Sequence, residues 1–126
     1  MTQENKQLLL KDLCARLPYG VTCFAPDYEY GDIGKLWCVE PFEDLDPQIC
    51  IQYPKGNTIT KFCSEIKPYL RPMSSMTEEE YAEFGYDTLR YTIQDIDWLN
   101  AHHFDYRGLI EKELALEAPE DMYKIK

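Results

Sequence analysis

No two cysteines in this chain stand close enough to form a CxxC pair, and no run of even three basic residues occurs anywhere in it. The first absence removes the close ligand pairs that tight turns supply to zinc. Cys14, Cys23, Cys38, Cys50 and Cys63 therefore read as free, mostly buried thiols, and no metal site is expected. The second absence removes the clustered Lys and Arg that displace counterions from a nucleic-acid backbone. Direct nucleic-acid binding and attraction to anionic membranes are both disfavoured. Nor does any stretch approach the roughly 20 apolar residues that span a bilayer. The N-terminal leucine run, residues 8–10, is too short for the core of a signal peptide. These gaps predict a cytoplasmic protein that stays off membranes.

What the chain does contain suits one folded unit. Its 126 residues have the length of a single domain, and 44% apolar content with 13% aromatics can fill a core. The 23 acidic residues outnumber 13 basic ones for a net charge of −10, dispersed over everything beyond residue 20. Charge of that kind favours solubility, and it also attracts basic surfaces.

The expected fold is α+β, one domain over residues 1–126. Residues 1–19 are read as a helix, capped by Thr2, with Leu9, Leu10, Leu13 and Leu17 as its apolar stripe. Pro18 and Gly20 stop it. Residues 20–66 form the β-rich part. Strands are expected at 21–25, 35–40, 49–53 and 58–63, where β-branched and aromatic residues concentrate. Residues 54–57, "PKGN", make a tight hairpin turn, whereas 26–34 and 41–48 read as longer acidic loops. Four or five short strands in so little chain imply a small, curled antiparallel sheet, an SH3-like half-barrel.

Residues 67–77 are a joint, held extended or in a 3₁₀ turn by Pro68 and Pro72. Residues 78–126 then supply two or three helices. Thr77 and Glu80 make a capping box, with Met76 placed to staple onto Tyr81, so a helix starts at Glu78 and is cut short by Gly85. A later helix is expected over 92–102, with Ile93, Ile96 and Leu99 inward and Asp95, Asp97 and Asn100 outward.

The residues after it, "DWLNAHHFDYRGL" at 97–109, collect two histidines, two aspartates, a tyrosine and an arginine. They read as a corner rather than an active site. Adjacent histidines point about 100° apart on a helix, so they do not form a zincin pair. No nucleophile-elbow sequence surrounds a serine. His102 and His103 instead suit a helix C-terminus, where a charged imidazole meets the negative end of the dipole. Phe104 and Tyr106 cover the core beneath, and Leu109, Ile110, Leu114 and Leu116 give it a further apolar edge. No catalytic residue and no cofactor is assigned.

Two segments, "KPYLRPMSSMTEEE" at 67–80 and "DWLNAHHFDYRGLIEKELALEAPEDMYKIK" at 97–126, resemble small proteins of gut bacteria and of their prophages and mobile elements. In those proteins a variable β-rich part precedes the same two segments. The resemblance covers about a third of the chain and implies a cytosolic, phage-associated accessory protein. It brings no activity and no site residue. Glu113 and Asp121 stand where the similar proteins have glycine.

The function expected from these features is a non-catalytic protein-interaction module that takes another protein or a basic peptide. Tyr28, Tyr30, Trp37 and Tyr53, ringed by Asp27, Glu29 and Asp32, are the candidate binding surface through stacking and cation–π contact. Core packing of Trp37 and Tyr53 is the plainer alternative. An acidic mimic that blocks a nucleic-acid-binding enzyme is a second reading, and an enzyme using His102 or His103 a third.

Overall fold

A computed structural model describes residues 2–40, 47–84 and 92–123. Helix α1, Gln3–Arg16, begins where expected, with the Thr2 side chain accepting from Asn5 N at 3.1 Å. A 3₁₀ turn over Leu17–Tyr19 ends at Gly20, whose φ of 70° is the left-handed conformation that glycine tolerates best. The buried face of α1 differs from the expected leucine stripe. It consists of Leu9 and Leu13 together with Asp12 and Arg16, while Leu10 and Leu17 are only half-buried.

Six strands follow: β1 Thr22–Asp27, β2 Gly31–Glu40, β3 Gln48–Gln52, β4 Thr58–Phe62, β5 Lys67–Leu70 and β6 Leu116–Glu117. They form one mixed sheet in the order β4-β3-β2-β1-β5-β6, antiparallel except for the β5–β6 pair. The architecture is α+β, and the sheet is open rather than closed on itself. Two expectations change. The loop expected over 26–34 is mostly ladder, since β1 runs to Asp27 and β2 starts at Gly31. Asp27 explains why so tight a turn holds: its Oδ2 accepts from Glu29 N at 3.1 Å and Tyr30 N at 3.0 Å. The joint is extended over 67–70 and 3₁₀ at Met73–Ser75, as its prolines suggest, but the extended part is paired as β5, with Pro68 opposite Cys23. The expected loop over 41–48 falls mostly outside the described residues.

The sheet curls. Lys61 on β4 reaches across to β1, donating to Pro26 O at 2.9 Å and Asp27 Oδ1 at 3.1 Å. Tyr53, just past β3, donates to Ala25 O at 2.6 Å. Close packing inside the curl requires Gly34, where a Cβ would collide with the Ile51 side chain and sit 2.8 Å from Gln52 O. Along β3, Ile49 and Ile51 are buried and alternate with half-exposed neighbours, so the concave face is the core side. That core joins Leu9 and Leu13 of α1 to Cys23, Leu36, Ile66, Leu70, Leu109 and Leu114. Tyr123 closes its far end by wedging between β1 and β5. Its hydroxyl accepts from Thr22 N at 3.0 Å and donates to Tyr69 O at 2.7 Å.

Helices α2, Glu78–Phe84, and α3, Ile93–Ala101, complete the described fold. Both start on capping boxes: Thr77 with Glu80, and Thr92 with Asp95. Met76 is buried against Leu99 and Phe104, whereas Tyr81 is exposed. The break expected at Gly85 lies outside the described residues. On α3, Ile93 is 82% exposed and Asn100 is buried, both opposite to expectation. The buried Asn100 amide has a partner there, since Tyr106 donates to its Oδ1 at 3.0 Å.

Thr77→Ala should lower stability by about 1 kcal/mol, because Glu80 N loses its acceptor at the helix start. A urea melt checks this. A midpoint equal to that of the parent would mean that the hydroxyl contributes nothing.

Candidate functional site

The seven residues of the candidate binding surface do not lie together on one face. Tyr53 is core, with its hydroxyl on Ala25 O. Tyr30 is half-buried against it, ring centroids 5.9 Å apart. Asp27 is committed to its own turn and to Lys61, whose hydrogen bond is the main reason its carboxyl is held below the usual range. Tyr28 is fully exposed, Trp37 is 56% exposed, and Glu29 and Asp32 are exposed beside the β1–β2 turn.

Trp37 owes its exposure to a bulge. The β2–β3 register steps from Leu36 opposite Ile51 to Cys38 opposite Cys50, leaving Trp37 as the extra residue. Leu36 stays on the core face, and Trp37 is turned out onto the convex one. Register places more of the sheet there: Phe62 opposite Gln48, Thr60 opposite Cys50, Thr58 opposite Gln52, and Ile33 opposite Phe24. Phe62 is 45% exposed and Ile33 43%. Neither was singled out from the sequence. The alternation in "TITKF" was the available signal, since a strand with Ile59 inward must carry Phe62 on the other side. The convex face thus presents Trp37, Phe62 and Ile33 among threonines, glutamines and the lysines Lys35 and Lys67, with Glu40 at one end.

A second feature lies beside β5, β6 and the start of α2. A half-open cleft of about 720 Å³ is lined by Arg71, Glu79, Glu80, His102, Glu117 and Tyr123 among others. Arg71 clamps Glu80 through two hydrogen bonds, 2.7 Å from Nη1 and 2.6 Å from Nη2. Those bonds hold the Glu80 carboxyl down to about 2. His102 Nδ1 lies 3.7 Å from Glu80, beyond hydrogen-bond distance, and its ring stacks on Trp98 with centroids 4.1 Å apart. The cleft hydroxyls are occupied locally: Ser75 donates to Pro72 O, and Thr77 accepts from Glu80 N. No nucleophile beside a base is assembled among the described residues.

The two histidines do sit at the corner, but not as charged caps of equal kind. His102 is the C-cap of α3. His103 follows in the left-handed region, φ 64°, with its ring 3.8 Å from that of Tyr123. Burial, with the nearby Arg16 charge adding to it, pushes the His103 imidazole down to about 4. A neutral ring stacked on tyrosine replaces the expected imidazolium. Asp105 does not orient it. That carboxylate accepts from Leu109 N at 2.8 Å and Ile110 N at 3.0 Å, shaping the next turn.

These shifts set an acid response. The contribution of His103 is fully present above its ordinary 6.5 and is lost as pH falls toward about 4. That of Glu80 is present above 4.5 and is lost as pH falls toward about 2. Stability should therefore decline in two successive steps on acidification. His103→Gln should flatten the first step and leave the second. Urea midpoints measured across this range test it, and a parent profile flat between pH 6.5 and 4 would contradict it.

No group of three or more His, Cys, Asp or Glu side chains converges on a metal-sized site among the described residues. No described helix is long and apolar enough to cross a membrane. Comparison with protein-family models, curated proteins and solved structures finds no match for the chain.

Proposed function

We propose that this protein is a non-catalytic interaction module whose convex sheet face takes an extended, basic segment of a partner protein. The observation that carries the reading is the outward turn of Trp37 at the β2 bulge, on the face that also bears exposed Phe62 and Ile33. A large indole held in solvent offers a flat face to an Arg guanidinium or a proline ring. The net charge of −10, with Glu40 exposed at one end of this face, favours a cationic segment. We read the curled sheet as an SH3-like half-barrel; the reach of Lys61 from β4 to Asp27 on β1 supports that reading. We place the protein in the cytosol as a phage- or mobile-element-associated accessory, from the resemblance of its 67–80 and 97–126 segments.

A panel of arginine- and proline-containing peptides, with acidic and scrambled controls, tests the proposal by titration. Basic peptides should bind best, and more weakly as salt rises. Trp37→Ala should weaken binding about 10-fold or more, as loss of an aromatic anchor does. Its urea midpoint should stay near that of the parent, because the ring is mostly in water. Equal binding of acidic and basic peptides, or a Trp37→Ala protein that binds like the parent, would refute the proposal.

A further inference from the structure

The convex face also carries two thiols in register. Cys38 on β2 lies directly opposite Cys50 on β3, and both are half-buried with their side chains on the convex side. Directly opposed residues of an antiparallel pair have Cα atoms about 4.5–5.5 Å apart. Disulfides span Cα separations of about 4.4–6.8 Å, so the register places the two cysteines within the range of a bond. Cys23 and Cys63 are buried, and Cys14 is exposed on α1. The two sulfurs also sense each other: partial burial raises the Cys50 thiol most, its hydrogen bond with Thr58 opposes this, and the charge of Cys38 raises it further. The bulge beside Cys38 loosens the ladder where a new link would have to adjust its torsions.

We infer that Cys38 and Cys50 are a redox-modification site, a cross-strand dithiol that a low-molecular-weight disulfide converts to an intramolecular disulfide. One thiolate attacks a sulfur of the oxidant, joins it as a mixed disulfide and expels the first small thiolate. The second thiolate then attacks the protein sulfur of that adduct and expels the other. Two small thiols take up the protons that the cysteines gave up, and the two electrons pass from the protein pair to the oxidant. Because exchange requires thiolate, the raised Cys50 thiol makes the rate climb with pH. The inference stands independently of peptide binding by the same face.

The test incubates the reduced, folded chain with glutathione disulfide, then blocks remaining thiols and maps the peptides. The parent should yield one linked peptide pair containing Cys38 and Cys50, two hydrogens lighter than the two reduced peptides together, with no glutathione on either residue. A reducing agent should restore the starting mass. Cys14→Ser should form the same link. Cys38→Ser and Cys50→Ser should each stop with one glutathione on the surviving thiol. Mapping the parent keeps the test decisive even if a serine variant folds poorly. Separate glutathione adducts on Cys38 and Cys50 in the parent would overturn the inference. So would two unreacted thiols under conditions that modify Cys14.

Discussion

Replacing Asp12 with alanine should destabilise the protein by about 3–5 kcal/mol, the range for leaving a buried charge without its partner. Asp12 and Arg16 are both fully buried. Arg16 Nε donates to Asp12 Oδ2 at 2.7 Å and Nη2 to Oδ1 at 3.1 Å, so one helical turn holds a bidentate pair. The pair then ties α1 to the C-terminal part. Arg16 Nη2 also donates to Phe104 O at 2.6 Å, and Arg107 Nη1 donates to Asp12 Oδ1 at 3.1 Å. Arg16 Nη1 already lacks a hydrogen-bond partner among the described residues. Removing the carboxylate leaves the buried guanidinium with the Phe104 carbonyl as its remaining hydrogen-bond acceptor and no counter-charge among the described residues. Replacing both residues together, Asp12→Leu with Arg16→Met, should recover much of the loss, since the cost of burying charge disappears along with the attraction. Denaturant melts of the two single variants and the double decide the matter. An Asp12→Ala protein within 1 kcal/mol of the parent would show that the pair is not the lock between these parts.

Phe104→Ala should cost a similar amount, about 3–5 kcal/mol for a fully buried aromatic ring. The ring lies beneath the corner, stacked with Trp98 at a centroid distance of 5.8 Å, with the Arg71 guanidinium 4.2 Å above it. The backbone of Phe104 is a junction as well. Its amide donates to Leu99 O, and it bridges to Arg71 beside the sheet. Trp98→Ala should cost less, because that indole is only half-buried and stacks on the exposed side between Phe84 and His102. His102→Gln should cost least, at less than about 1 kcal/mol for a partly exposed helix end. The ordering is the expected result: Phe104, then Trp98, then His102. A His102 variant that melts with or below Phe104→Ala would mean that the corner is held from the surface.

Much of the skeleton was legible because it follows from local chemistry. Thr2 and Thr77 each stand before a helix and cap it. The turn at 54–57 joins β3 to β4 with Gly56 at φ 94°. The alternation of Ile49 and Ile51 with Cys50 and Gln52 sets the core side of β3. Patterns of this kind depend on neighbours one to four residues away, and sequence order contains them in full.

Long-range partners decided the rest. Asp12 and Arg16 have the spacing of an ordinary exposed helix pair, and only the turn carrying Phe104 and Arg107, some ninety residues later, buries them. Residues 67–70 look like a proline-bound joint until Cys23 and Phe24 offer a strand to pair with. Tyr53 and Trp37 are both aromatic residues in strands, yet one is core and the other exposed. The difference is a single bulge residue, which no composition or period announces. Cys38 and Cys50 are unremarkable in sequence and become a pair only through the β2–β3 register. By itself the sequence determined where helices start, where turns fall and which class of fold results. Tertiary structure decided which charges are buried, which aromatics face water and which thiols meet, because burial and proximity belong to segments that find each other only on folding.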